Sequence, residues 1–498
     1  MSFPRAPRLL ALSILAVLAS CQDQVTDPSV SPSAAKGGGG TPGPIASVVV
    51  TPATNVLRPG WVQQLTAQAY DASGNPVAGV TFKWTTSDPA RATVSKTGLL
   101  KGVTAGGPVT VSAQTDTKQP ARGSSAVAVL SNQSRLVGGG YAGLQGHTCA
   151  LDALGLAWCW GSENFGQLGI SWVGNDPLSV AVPTRTADAT GLISLAGGAR
   201  FTCGLAADGR AFCWGENGNG QLGNGTFTFI EYTPTLVAGG IPFTSMASNS
   251  RGDAHSCALD NSGMAYCWGA NAEGFGDGTT SRREVPTPVL QGAIRFVTLA
   301  VGGLHTCGLT PTGAAYCWGW NYAGQLGTGA ADPGVYPTPQ AVQQGALRFV
   351  SIALGIYWGC ALTAVGEAYC WGGPTGQASS FGPVPQLVPG ATRFQSLALG
   401  ETHACGLDFG GEAYCFGSNN VGQLGNGTTT DVSIPLGSAP VKVIGGHRFS
   451  TLGLGQAHSC ARGTDGKTYC WGYNLFGQLG EGTFIDRLAP VATLPFGQ

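Results

Sequence analysis

Cysteine is the residue type in this 498-residue chain best placed to do chemistry, and fourteen of the fifteen cysteines share one spacing. Pairs ten residues apart recur seven times: Cys149 with Cys159, Cys203 with Cys213, Cys257 with Cys267, Cys307 with Cys317, Cys360 with Cys370, Cys405 with Cys415 and Cys460 with Cys470. Each pair has a glycine six residues after its first cysteine: Gly155, Gly209, Gly263, Gly313, Gly366, Gly411 and Gly466. The chemistry implied is oxidative cross-linking, and the glycine says how it is arranged. A three-residue loop ending in a left-handed glycine is a common antiparallel connection. In the fourth copy, a loop at Pro311–Gly313 makes Thr310 face Ala314, and counting back by twos sets Cys307 opposite Cys317. At such a non-hydrogen-bonded site the Cα atoms lie about 4.5 Å apart, near the lower limit of a disulfide's reach. The spacing therefore predicts seven bonds, each inside one hairpin, and the register with them.

Other candidates for chemistry fall away. Five of the six histidines (His147, His255, His305, His403 and His458) stand two residues before the first cysteine of a pair, and Phe201 and Trp358 fill that slot in the other copies. A slot shared with aromatics reads as a packing position. A metal site needs several ligands converging from defined spacings, and none is present. There is no nucleophile elbow, no pair of histidines at zinc-protease spacing and no phosphate loop. No catalytic residue, metal or cofactor is expected, and the chain reads as non-enzymatic.

The elements that position the cysteines are themselves repeated. First cysteines follow one another at steps of 54, 54, 50, 53, 45 and 55 residues, a period of propeller blades rather than of thin solenoids. In the fourth hairpin Cys307, Leu309, Ala315 and Cys317 share one face, while Gly308, Tyr316 and Trp318 share the other. Both faces are apolar, so each sheet must be covered on two sides. Stacking seven such sheets radially and closing the ring does that, which makes the chain all-β with a seven-bladed β-propeller.

The pattern G-x-x-H-T/S-C-x-L…G-x-x-Y-C-W-G-x-N-x-x-G-Q-L-G-x-G, as in Gly302–Gly329, resembles the regulator of chromosome condensation repeat. The resemblance runs from Arg135 to Gln498 and implies a seven-bladed propeller. It also implies that the last outer strand, at Pro490–Phe496, completes a blade begun by the N-terminal end of the ring. Two copies depart from Gly-Gln-Leu-Gly, at Gly274-Phe275-Gly276-Asp277 and Gly376-Gln377-Ala378-Ser379, so their rims should differ in shape. The family's eukaryotic namesake catalyses nucleotide exchange on a small GTPase and sits on chromatin. A secreted bacterial member caps β-lactamases with one propeller face.

Only 10% of residues are charged and the net charge is −1, which gives no long-range pull toward nucleic acid. At the N-terminus, Arg5 and Arg8 precede an apolar run, Leu9–Leu18, that is short for a membrane span. Leu18-Ala19-Ser20-Cys21 then resembles the bacterial lipoprotein signal, whose cysteine is lipid-modified. Setting Cys21 aside leaves the fourteen paired cysteines, and those pairs require an oxidising compartment. Residues 1–21 thus read as signal peptide and lipobox, and residues 22–44, rich in Ser, Pro and Gly, as a flexible tether. Residues 45–131 read as a β-sandwich with strand cores at Val48–Val50, at Leu65, Ala67 and Ala69, at Val80, Phe82 and Trp84, at Val109 and Val111, and at Val127 and Val129. Asp71–Asn75 and Ala105–Pro108 read as loops, and Trp84 as the centre of the core. This stretch resembles the group 2 bacterial immunoglobulin-like domain, which implies a stalk. Residues 132–498 form the propeller.

What varies between copies is the segment after each Gly-Gln-Leu-Gly. Trp172, Phe227, Phe229, Tyr232 and Tyr336 are large aromatics in those segments, the class enriched at binding hot spots, with packing between blades as the alternative. The expectation is an exported monomer, anchored in the cell envelope only by its N-terminal lipid, that binds a protein or surface ligand through one propeller face. A purely structural envelope role, or an enzyme site in the central channel, are the other readings.

Overall fold

The computed structural model describes residues 44–57, 62–103, 106–117, 120–129, 135–140, 145–171, 178–188, 190–248, 255–272, 274–373, 380–434 and 438–497. Cys21, the tether up to residue 43, Trp172 and the fifth-copy departure at Gly376–Ser379 lie outside the described residues.

Ile45–Val129 builds a sandwich of three small sheets. The four-stranded one orders Thr54–Leu57, Arg122–Val129, Gly106–Thr115 and Phe82–Thr86, and its first pair is parallel. Alternation explains the core: Val109, Val111 and Ala113 point inward from one strand and are buried with Ala69, Leu100 and Val127. Two expectations are corrected. Gly106–Pro108 is not loop; it opens a ten-residue strand, because Gly106 pairs with Val129 across a bulge. Trp84 is not the centre of the core. It is half-buried at the margin, lying over Gly98, where a Cβ would stand 2.9 Å from the indole. The Asp71 carboxylate closes the expected turn by accepting the Ser73 and Asn75 amides.

From Leu136 on, the chain forms seven four-stranded sheets, each made of four consecutive strands. The fourth is typical: Thr298–Val301 innermost, then His305–Leu309, Ala315–Trp320 and, outermost, Val335–Ala341. The hairpin register is the one the spacing implies, with Leu309 facing Ala315 and Cys307 facing Cys317. The Gly313 amide donates to the Thr310 carbonyl at 2.9 Å, and all seven hairpin glycines have φ between 75° and 87°. That is the left-handed region, where a side chain is strained.

The other six hairpins keep this register. Cys149 faces Cys159, Cys203 faces Cys213 and Cys257 faces Cys267 in the first three blades. Cys360 faces Cys370, Cys405 faces Cys415 and Cys460 faces Cys470 in the last three. All seven sulfur pairs stand at bonding distance, and every one of these cysteines is buried. Their geometry departs from the expected one in a single respect. The Cα atoms are 4.0–4.1 Å apart, closer than the generic non-hydrogen-bonded pair, because the bond draws the two strands together at that point.

Each innermost strand packs against the innermost strand of the next blade, and the last, Phe449–Leu454, packs against the first, Leu136–Gly139. How the ring closes corrects an expectation. Arg487–Ala492 pairs with Thr468–Gly472 of its own blade, so no blade is shared between the chain's two ends. Side chains close the seam instead. The Trp160 indole donates to the Gln478 carbonyl at 2.8 Å, and Thr148 donates to the same carbonyl at 2.9 Å. Beyond the final strand, Phe496 stacks on Trp158 of the first blade, centroids 5.6 Å apart at 7°. Phe496→Ala should therefore cost about 1–2 kcal/mol of ring stability. Deleting Leu488–Gln498 should lower the melting temperature further, with all seven disulfides still formed. An unchanged melting curve would place closure elsewhere.

Candidate functional site

The site is built outward from the junctions between blades. After the third strand of a blade, Gly-Gln-Leu-Gly turns the chain beneath the next blade's Trp, whose indole donates to the Gln carbonyl. Trp214 does so to Gln167, Trp268 to Gln221, Trp371 to Gln325 and Trp471 to Gln423, at 2.9–3.1 Å. The third copy is one residue short, and Phe275 replaces Gln and Leu together. Its carbonyl takes the Trp318 indole, and its amide donates to Asn271 as the Leu326 amide does to Asn321. A cavity of about 10 Å³ remains there, lined by His255, Asn271, Leu304, His305, Thr306 and Gly319.

The histidines belong to the same junctions. His147 Nε2 lies 3.0 Å from Thr202 Oγ1, which itself donates to the Gln167 carbonyl at 2.9 Å. A hydroxyl has one proton and the carbonyl receives it, so His147 donates from Nε2. His403 with Ser459, and His458 with Thr148, repeat the arrangement. Burial holds the imidazoles far below their usual value, to about 3 for His147, His305 and His403 and about 4 for His255 and His458. These are packing groups, as the shared slot implies, and among the described residues no group of His, Cys, Asp or Glu is arranged to hold a metal ion.

On the loop side of these junctions a buried Asn organises each long segment. Asn217, Asn321, Asn419 and Asn474 each accept the Leu amide five residues on, and their Nδ2 groups reach carbonyls or side chains further along the loop. Glu163 plays this part in the first blade, accepting the Leu168 amide at 2.7 Å. These side chains thus pin the described parts of the loops to the blades.

Of the five aromatics the sequence singles out, Trp172 lies outside the described residues. Phe227 and Phe229 are 41% and 64% exposed and stand together on the second blade's loop. Tyr232 is half-buried against Gly166. Tyr336 is half-buried on the fourth blade, its hydroxyl donating to the Asp332 carboxylate at 3.3 Å, so it belongs to packing and not to this cluster. Three residues the sequence reading missed complete the patch. Phe165 of the first blade meets Phe229 edge-on at 6.2 Å, and the Arg200 guanidinium lies 4.3 Å above the Phe165 ring. Arg282 of the third blade covers Phe227 at 4.4 Å and donates to the Gly218 carbonyl. Arg200 also stands 3.8 Å from Glu216, whose carboxyl burial raises above its usual range against the pull of that cation. The result is a patch of three aromatic rings, Phe165, Phe229 and Phe227, with the Arg200 and Arg282 guanidiniums on its outer members, drawn from three blades. On the fourth blade a separate aromatic pair, Trp320 and Tyr322 on either side of Asn321, has rings 6.1 Å apart with Tyr322 63% exposed.

The seven innermost strands, LVGG, LISLAG, FTSMAS, TLAV, FVSIAL, FQSLAL and FSTLGL, contain no charged residue.

Residues 192–221, 296–325, 394–423 and, in a second pattern, 208–259, 312–362 and 410–462 match the Regulator of chromosome condensation (RCC1) repeat. The ultraviolet-B receptor UVR8 of Arabidopsis thaliana is 31% identical over 323 residues, covering 63% of this chain and 72% of the receptor. The chain belongs to the RCC1 repeat family. The human E3 ubiquitin-protein ligase HERC2 is 30% identical over 365 residues, 70% of this chain, but the chain spans only 7% of that relative's length. Among solved structures, Prp20p from Saccharomyces cerevisiae, described with its binding to Gsp1p and histones, superposes with a TM-score of 0.60 at 23% identity, covering 70% of this chain and 88% of Prp20p. Human WBSCR16 does so at 0.60 and 21%, covering 69% and 95%. Both show that the RCC1 propeller is the fold. Residues 44–123 match the bacterial Ig-like domain (group 2).

Proposed function

We propose that this RCC1-repeat protein is an exported, lipid-anchored binding protein that docks a protein partner on the loop face of its ring. Cys21 carries the lipid, residues 22–44 form the tether and the immunoglobulin-like domain spaces the ring from the membrane. The reading is carried by one observation: Phe227 and Phe229 stand exposed on the second blade's loop, with Arg282 over Phe227 and Phe165, itself under Arg200, against Phe229. Aromatic and arginine side chains on a rigid surface are the groups that dominate protein interfaces. Support also comes from relatives in this family that act by binding, such as Prp20p with Gsp1p and histones. The uncharged channel strands favour binding over acid–base chemistry.

The experiment is a capture from envelope extract on the full-length protein, compared with a Phe227→Ala/Phe229→Ala variant. Captured partner should fall at least tenfold, as loss of an aromatic hot spot of about 2 kcal/mol requires. Equal capture by both proteins would remove the patch from consideration. In the same preparations Cys21→Ser should move the protein from the detergent phase to the aqueous phase, and no shift would overturn the anchor.

A further inference from the structure

Three of the junctions between blades share one arrangement, and a fourth keeps all of it but the hydroxyl. At three junctions a histidine of one blade, a hydroxyl of the next and a backbone carbonyl meet at a single point: His147, Thr202 and the Gln167 carbonyl; His403, Ser459 and that of Gln423; His458, Thr148 and that of Gln478. Between the fifth and sixth blades Ala404 replaces the hydroxyl. The donor there is Trp358, which reaches the Glu401 carbonyl at 3.0 Å. Between the fourth and fifth blades the histidine is kept, as His305, but the hydroxyl position is Gly359.

Both remaining groups of that junction hold their places. The His305 ring has the orientation of its counterparts, with Cε1 and Nδ1 lying 2.5 and 2.7 Å from where a Cβ of Gly302 would be; for His403 against Gly400 the values are 2.4 and 2.7 Å. The Gln325 carbonyl accepts the Trp371 indole at 3.0 Å, as the Gln167 carbonyl accepts that of Trp214. His305 is 1% exposed and neither ring nitrogen makes a hydrogen bond of normal geometry, although the Ile356 carbonyl lies near enough to favour a proton on the ring. A Cβ on Gly359 would stand 2.6 Å from Leu354 Cδ2, so a methyl from the same blade already fills the carbon part of the missing side chain. Only its oxygen is outstanding.

We propose that the seam between the fourth and fifth blades is a binding site for one water molecule, standing where the threonine hydroxyl stands elsewhere. Water has the required chemistry: it accepts from His305 Nε2–H and donates to the Gln325 carbonyl, and it fits where a hydroxyl fits. A buried N–H without an acceptor is costly, whereas ordered waters routinely satisfy such groups. This seam is thus closed by an exchangeable molecule, whereas those of His147, His403 and His458 are closed by covalently attached hydroxyls.

Two measurements test this on the full chain. A crystal structure at about 1.8 Å should place a water within hydrogen-bond distance, about 2.7–3.2 Å, of both His305 Nε2 and the Gln325 carbonyl. Absent density there, or a His305 ring turned onto the Ile356 carbonyl, overturns the site. In solution, Gly359→Ser supplies the oxygen covalently and should melt higher than Gly359→Ala by roughly 1–2 °C, both variants having displaced Leu354 equally. The serine advantage should vanish in a His305→Phe background, an exchange for which the second blade, with Phe201 in the same slot, is the precedent. Equal melting of the serine and alanine variants, or a serine advantage that survives without His305, overturns the proposal.

Discussion

Taking the protein from pH 7 to pH 5 should destabilise the ring by of order 5–10 kcal/mol with its disulfides intact, a sum over five buried histidines. The cause is the set of five buried histidines. In the unfolded chain each titrates near 6.5. In the ring, burial holds them at about 3 to 4, and for His147 and His403 the neighbouring His458 opposes a charge further, as His255 does for His305. Below pH 6.5 the unfolded chain therefore binds protons that the folded ring refuses, and stability falls with pH until the folded values are reached. Each histidine contributes about 2 kcal/mol over this interval, since one pH unit past the unfolded value is worth about 1.4 kcal/mol. Above pH 7 the same groups make stability flat. Urea melts at pH 7, 6 and 5 read the effect, and His403→Phe should remove about a fifth of the slope. A midpoint independent of pH across that range would mean that the histidines are not held neutral.

Reduction should be more damaging still. Each hairpin bond closes a loop of about eleven residues, worth ~2.5–3 kcal/mol on the chain-entropy model, so seven together approach 20 kcal/mol. That exceeds the ordinary margin of a folded domain. Denatured and reduced ring should fail to regain its melting transition under reducing conditions, and should regain it when oxidised slowly. Under native conditions the sulfurs should resist reductant, because all fourteen are buried. Peptide mapping without reductant should recover only pairs ten residues apart, from Cys149–Cys159 to Cys460–Cys470. One abundant bond between different repeats would break the register of every hairpin.

Much of the ring was legible from the chain because its information is local. Gly313 lies six residues after Cys307 and four before Cys317, so a single turn sets loop, register and cross-link within one hairpin. The slot shared by His147, Phe201 and Trp358 likewise announced a buried position. In the sandwich the alternating runs around Val111 and Val127 were legible too. The short strands Val62–Gln64, Ala92–Val94 and Leu99–Gly102 were not, since three or four residues show too little alternation to distinguish strand from loop.

What only the tertiary structure decided involves residues far apart in sequence. Ring closure depends on Thr148 and Trp160 meeting Gln478, and on Phe496 reaching Trp158, more than three hundred residues away. No local pattern encodes such a meeting, and the shared closing blade that the family resemblance implied is replaced here by side-chain contacts across the seam. The candidate site divides in the same way. Phe227 and Phe229 stood out as aromatics in a variable loop, but Phe165 and Arg282 join them from neighbouring blades, placed by the radial stacking of sheets. Tyr336, chosen by the same sequence criterion, turns back onto Asp332 and the core. A residue's type and spacing determine what it is able to do, and the packing of one blade against the next determines which residues it does it with.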